Sequence, residues 1–225
     1  TATRVVFVQL SKDYRERGTW QATYLRSFAM ITAFMWPLLI GLAILSRPAV
    51  LILFGERWLP AALPLAALMV AQFIGVAFGM NWELFVLRGE TGRQAKYEVA
   101  RLLLGVPIFA LGCVYGLLTA ALAKIADALI GLILYYPHVR RLAEIGPREI
   151  PAIYRDSGLL TLVATMPSLV TMIVYDWSPR TPFPIIAAAV ALGIALWFGL
   201  IFLMGHPLRE ELLMLRRNIR TARAA

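Results

Sequence analysis

Three ionisable side chains interrupt long apolar stretches of the sequence: Glu83, Lys124 and Asp127. Lys124 and Asp127 are three residues apart, so on a helix they share a face and can pair. Such a pair can line a polar cavity and serve a charged substrate or a coupling ion. It can equally be a structural salt bridge inside a helix bundle, and residue type and spacing leave both readings open. An isolated pair predicts that truncating either member is costly and that exchanging the two restores the fold. Glu83 is flanked by Asn81 and Trp82, which can contact a sugar or anchor at an interface, and it is close enough in sequence to reach Arg88. All three stand as candidates for a substrate or ion pathway.

Other chemistry finds no residues to carry it. There is no spacing suggestive of a Ser-His-Asp set. The run Gly89-Glu90-Thr91-Gly92-Arg93 has glycines but lacks the following Lys-Ser/Thr of a phosphate-binding loop, so ATP hydrolysis is not expected. The single Cys113 cannot close an intrachain disulfide, and one cysteine with two histidines makes no metal-site spacing. No catalytic residue, metal or cofactor is expected.

The elements that must position these residues follow from hydropathy. Of the 225 residues, 60% are apolar and 16% charged, and the mean hydropathy is +0.72. Soluble domains run at about 45–50% apolar and about 25% charged. The apolar residues collect in blocks, and about 20 helical residues cross the hydrocarbon layer. The expected fold class is an all-α integral membrane protein with about six transmembrane helices, at about 27–46, 60–87, 98–113, 117–136, 157–175 and 183–204. With six spans, alternate loops and ends hold 18 Lys and Arg on one side and 3 on the other. A five-span alternative, with 102–123 as one crossing, puts the basic 136–156 segment opposite the loop containing Arg93. The positive-inside rule therefore selects six spans with both ends cytoplasmic and a tight outer turn at 112–116. The same count explains the net charge of +9 without a nucleic-acid partner, for which no basic surface helix or aromatic-interleaved motif exists.

Five spans carry proline (Pro37, Pro64, Pro107, Pro137, Pro167), which removes a backbone donor whose carbonyl partner must be satisfied some other way in lipid. Trp58, Trp82 and Trp177 fall near span ends, where indole suits the interface. Residues 206–225 read as a basic amphipathic cytoplasmic tail on the anionic inner leaflet, with Leu208, Leu212, Leu215 and Ile219 on one side. The opening Val5–Leu10 reads as the last turns of a helix that begins earlier, which makes the sequence the carboxy-terminal part of a longer protein.

Several motifs in order carry a family likeness. Phe7-Val8-Gln9-Leu10-Ser11 precedes a charged loop, with Val8 in place of the usual proline. The next span holds Pro37; Pro48 then leads to Leu53-Phe54-Gly55-Glu56-Arg57-Trp58 followed by Ala61-Ala62. Gly92-Arg93 follows the second span, and Tyr115-Gly116-Leu117 precedes Ala120-Ala121. Across 5–142 this order resembles the Wzx-like polysaccharide flippases of the multidrug/oligosaccharidyl-lipid/polysaccharide exporter superfamily. The resemblance implies the carboxy-terminal lobe of a two-lobed transporter of about 12–14 helices in the bacterial inner membrane. It also implies translocation of an undecaprenyl-diphosphate-linked oligosaccharide by alternating access, without enzymatic activity. Implied partners are the lipid-linked oligosaccharide, membrane lipids and the polymerase or glycosyltransferase machinery. A drug/cation antiporter of the same superfamily and a membrane-embedded glycosyltransferase or ligase are the alternatives. The matching motifs are structural and transfer no site residue.

Overall fold

The computed structural model describes residues 20–205; the Phe7–Ser11 motif and the 206–225 tail lie outside the described residues. Among the described residues the structure is helical throughout: α1 (Trp20–Ile44), α2 (Ser46–Phe54), a 3-10 turn (Glu56–Ala61), α3 (Ala62–Val76), α4 (Asn81–Leu87), α5 (Thr91–Val114), α6 (Leu117–Ala143), α7 (Glu149–Val174) and α8 (Phe183–Met204). Six of the resulting helical segments are long and apolar enough to cross a membrane: Trp20–Ile44, Glu56–Leu87, Thr91–Val114, Leu117–Ala143, Glu149–Val174 and Phe183–Met204. The chain is a multi-pass membrane protein.

Packing does not follow chain order. The helices that touch most closely form a row, α8–α7–α1–α3–α6–α5. The two innermost members, α1 and α3, come first in the sequence, and later helices add to either side. A core cluster built on Tyr24, Phe28, Leu84, Phe85 and Tyr135 joins α1, α4 and α6. At the far end of the row, α5 buries only Gly105.

The α5–α6 corner shows why these residues form a hairpin. Tyr115 and Gly116 end one helix and start the next, and Gly116 has φ of 112°, a conformation that a side chain disfavours. Small residues then let the two backbones approach. A Cβ at Gly112 would stand 2.8 Å from the Thr119 carbonyl oxygen, and one at Gly105 would stand 2.7 Å from Asp127 Oδ1. Close approach of this kind holds helices together where lipid tails remove the hydrophobic drive.

Helix α5 starts at Thr91, about three turns before the apolar run that follows Arg101, because no proline between Thr91 and Arg101 breaks the helix. Arg101, counted by charge with the loop, is therefore a helical residue. The prolines stay within helices, and the carbonyl freed by Pro37 has an identified partner: the Ala33 oxygen accepts a 3.0 Å hydrogen bond from Trp197 Nε1 of α8. The second span is interrupted: α3 stops at Val76 and α4 resumes at Asn81.

The Leu53–Trp58 motif forms the end of α2 and the start of the 3-10 turn. Its Glu56 pairs with Arg180 at 2.6 Å, and Arg47 donates to the Trp177 carbonyl at 3.3 Å. The motif thereby ties its corner to the α7–α8 loop. Trp58 and Trp82 are exposed.

Candidate functional site: a charged seam between two membrane helices

Antiparallel pairing of α5 and α6 brings Arg101 opposite Asp127. The guanidinium grips the carboxylate with two hydrogen bonds, Nε to Oδ1 at 3.2 Å and NH2 to Oδ2 at 3.0 Å. This fork-to-carboxylate geometry is the strong form of the interaction. Lys124 Nζ donates to the same Oδ2 at 2.9 Å, as its i,i+3 spacing predicts. Asp127 thus has two cationic partners. Its side chain is 11% exposed, against 26% for Arg101 and 43% for Lys124, so the acid is enclosed while Lys124 reaches outward. The absent side chain at Gly105 leaves the room that the carboxylate occupies.

The seam continues along both helices. Arg101 NH1 lies 3.6 Å from Glu98 Oε1, and Glu98 Oε2 accepts a 2.7 Å hydrogen bond from the Tyr135 hydroxyl. Tyr97 stacks on His138 with ring centroids 4.2 Å apart. At the end of the seam Glu90 bridges Arg93 and Arg141 at 2.9 and 2.8 Å, and Arg88 pairs with Glu144 at 2.6 Å. The Arg93 hydrogen bond, aided by the charge of Arg141, holds the Glu90 carboxyl below the usual carboxylate range. Two aromatic faces flank the cations at the inner part, Phe78 at 5.9 Å from the Arg101 guanidinium carbon and Phe109 at 5.6 Å from Lys124 Nζ.

Of the three candidates read from the sequence, the structure brings Lys124 and Asp127 together and leaves Glu83 apart. Glu83 lies on α4, is 3% exposed, and does not pair with Arg88. That arginine turns instead to Glu144 and to the Leu142 carbonyl, which it reaches at 2.9 Å. Among the described residues no ion pair includes Glu83, and its Oε2 is buried without a hydrogen-bond partner. Sequence reasoning missed Arg101, Glu98 and Tyr135. The available signal was local: an unbroken helical run from Thr91 places Glu98, Arg101 and Gly105 on one face at i,i+3 and i,i+4 spacing.

Comparison with known proteins bears on what such a seam is for. Residues 1–63 match the family described as polysaccharide biosynthesis protein. Over that stretch the chain is similar to polysaccharide biosynthesis proteins. It is 21% identical, over 96% of its length, to an uncharacterised membrane protein in the cps region of Klebsiella pneumoniae. It is 30% identical, over 53% of its length, to the teichuronic acid biosynthesis protein TuaB of Bacillus subtilis (strain 168). The matches cover 44% and 25% of those two proteins, so the chain spans less than half the length of the curated relatives it resembles. No solved structure matches significantly. These findings support the likeness to the polysaccharide flippases.

Proposed function

We propose that the protein to which this chain belongs moves lipid-linked oligosaccharide across the bacterial cytoplasmic membrane by alternating access, as a transporter and not an enzyme. The observation that carries the reading is the seam at Asp127. Arg101 holds the enclosed Asp127 carboxylate in a two-point grip and has Glu98 beside it as well, so the more exposed ammonium of Lys124 can turn to an anion without leaving Asp127 unpaired. A diphosphate-linked glycan carrier supplies that anion. Lys124 then serves as the contact, Asp127 as the group that positions it, and Arg101 as the brace that keeps Asp127 ionised and in place. The 18-to-3 distribution of basic residues supports a cytoplasmic placement for the end of the seam at Glu90 and Arg141. On this reading the polymerase and glycosyltransferases of the same polysaccharide supply and consume the cargo.

The test is genetic and chemical together. Deleting the full-length gene abolishes surface polysaccharide and leaves the lipid-linked repeat unit accumulating in the inner leaflet. Full-length protein restores export, and Lys124→Gln restores it poorly while reaching the membrane at normal abundance. Unchanged surface polysaccharide and no accumulated intermediate in the deletion strain would overturn the proposal.

A further inference from the structure

The second span, Glu56–Leu87, is not one continuous helix. Between α3 and α4 the backbone N–H groups of Ala77, Phe78, Gly79 and Asn81 donate to carbonyls three residues back, at 3.0–3.2 Å, in place of the four-residue pattern of an α-helix. The break is held from outside. Tyr154 of α7 donates its hydroxyl to the Ala77 carbonyl at 2.6 Å, and its ring lies 5.6 Å from that of Trp36. Just beyond the break comes Glu83, more than nine-tenths buried, with an unpartnered Oε2.

Titratable and charged groups on the surrounding elements do not compensate it. Tyr24 on α1 is fully buried within electrostatic range of the carboxyl, and Arg26 on the same helix lines a groove with Glu149. On α5 and α6, Glu98 is taken by Tyr135 and Arg101, and His138 stacks on Tyr97. On α7, Tyr154 is committed to Ala77. Arg88, which follows α4, is committed to Glu144 and Leu142. None of these groups makes an ion pair or side-chain hydrogen bond with Glu83 among the described residues.

We propose that Glu83 is an exchangeable proton site coupled to a hinge at 77–80 in the second span. An ionised carboxylate at this buried position, with no cationic partner, is strongly disfavoured. In the described conformation the carboxyl therefore holds its proton. Releasing it requires water at Oε2, and the adjoining turn is where the α-helical hydrogen-bond pattern is already broken, so proton release and opening at 77–80 are one event. The inference rests on the membrane placement of the chain and does not depend on the cargo proposed above.

A lipid-soluble carbodiimide, which reacts with protonated carboxyls in apolar surroundings, tests the site in full-length protein reconstituted in lipid vesicles. Peptide mapping should find the adduct on Glu83, with yield falling at least tenfold from about pH 5 to about pH 9. Hinge opening is read on Asn81→Cys with a water-soluble maleimide, normalised to Ser178→Cys. Labelling at position 81 should rise with pH in an otherwise unaltered chain and stay low at every pH when Glu83→Gln is added, since the amide mimics the protonated acid. Absence of the adduct, a yield independent of pH, or identical pH courses with and without Glu83→Gln would each overturn the proposal. Suppression of the adduct by Na+ at constant pH would also overturn it, in favour of a metal-cation site.

Discussion

Asp127 is the residue whose loss the seam tolerates least, and the structure sets an order among its neighbours. Breaking a buried ion pair by removing one partner costs about 3–5 kcal/mol, whereas an exposed pair is worth about 0–1 kcal/mol. Asp127, with a side chain 11% exposed, sits near the first limit, and its truncation leaves two cations facing each other. Asp127→Ala should cost about 3 kcal/mol. Lys124 is 43% exposed, and its removal leaves Asp127 in the grip of Arg101, so Lys124→Ala should cost about 1 kcal/mol or less after screening. Arg101→Ala falls between them. The full-length protein in detergent, followed by thermal unfolding with an intrinsic fluorescence readout, should show a midpoint loss for Asp127→Ala about three times that for Lys124→Ala. The exchange Lys124→Asp with Asp127→Lys should not restore stability, because it sets an ammonium against Arg101; adding Arg101→Glu should recover much of the loss. Full recovery by the two-residue exchange alone would refute Arg101 as a partner and return the site to an isolated pair.

Three further outcomes are expected. Gly193→Ala should destabilise by about 1–3 kcal/mol in chemical unfolding, because the new methyl meets the Ala164 carbonyl of α7, while Gly199→Ala on the same helix, with open space around it, should be neutral or stabilising. Trp197→Phe should cost about 1 kcal/mol by orphaning the Ala33 carbonyl, and should cost less in a Pro37→Ala background where an N–H returns to that oxygen, as a double-mutant cycle will read. Cysteines placed at Gly92 and Ser178 should be modified by impermeant maleimide from opposite sides of the membrane, Gly92 from the cytoplasm; labelling of both from one side would break the six-span arrangement.

The membrane-spanning pattern was legible because it is written in local composition: charge-free blocks of sufficient length are visible without knowing what packs on what. The Lys124–Asp127 contact was legible for the same reason, since i,i+3 spacing fixes proximity on one helix. Arg101 was not, because its partnership depends on how α5 turns at Gly116 and which face it lays against α6. A charge count assigns a basic residue to a loop whenever it precedes the apolar run, and α5 keeps its helical hydrogen bonds well before that run begins. Glu83 shows the complementary failure. Sequence proximity to Arg88 suggested a partner, but the helix ends at Leu87 and Arg88 turns to the α6 terminus. That the acid is left alone is a fact of tertiary packing with no local signature. The break at 77–80 was likewise hidden inside a stretch whose hydropathy is uniform.

The row in which the helices pack has a consequence for how the chain is made. Thr32 of α1 completes its environment with Ser157 of α7, their hydroxyls 2.8 Å apart across 125 residues of sequence. At a synthesis rate of about 5–20 residues per second, Thr32 is made about 6–25 s before that partner. During the interval its hydroxyl is not stranded in lipid, because the same oxygen also bonds the carbonyls of Phe28 and Ala29 at 2.9 and 3.2 Å within its own helix. At Thr32 the early-made helix therefore needs no rescue from α7, whereas its Ala33 carbonyl, freed by Pro37, gains the Trp197 partner only once α8 is made.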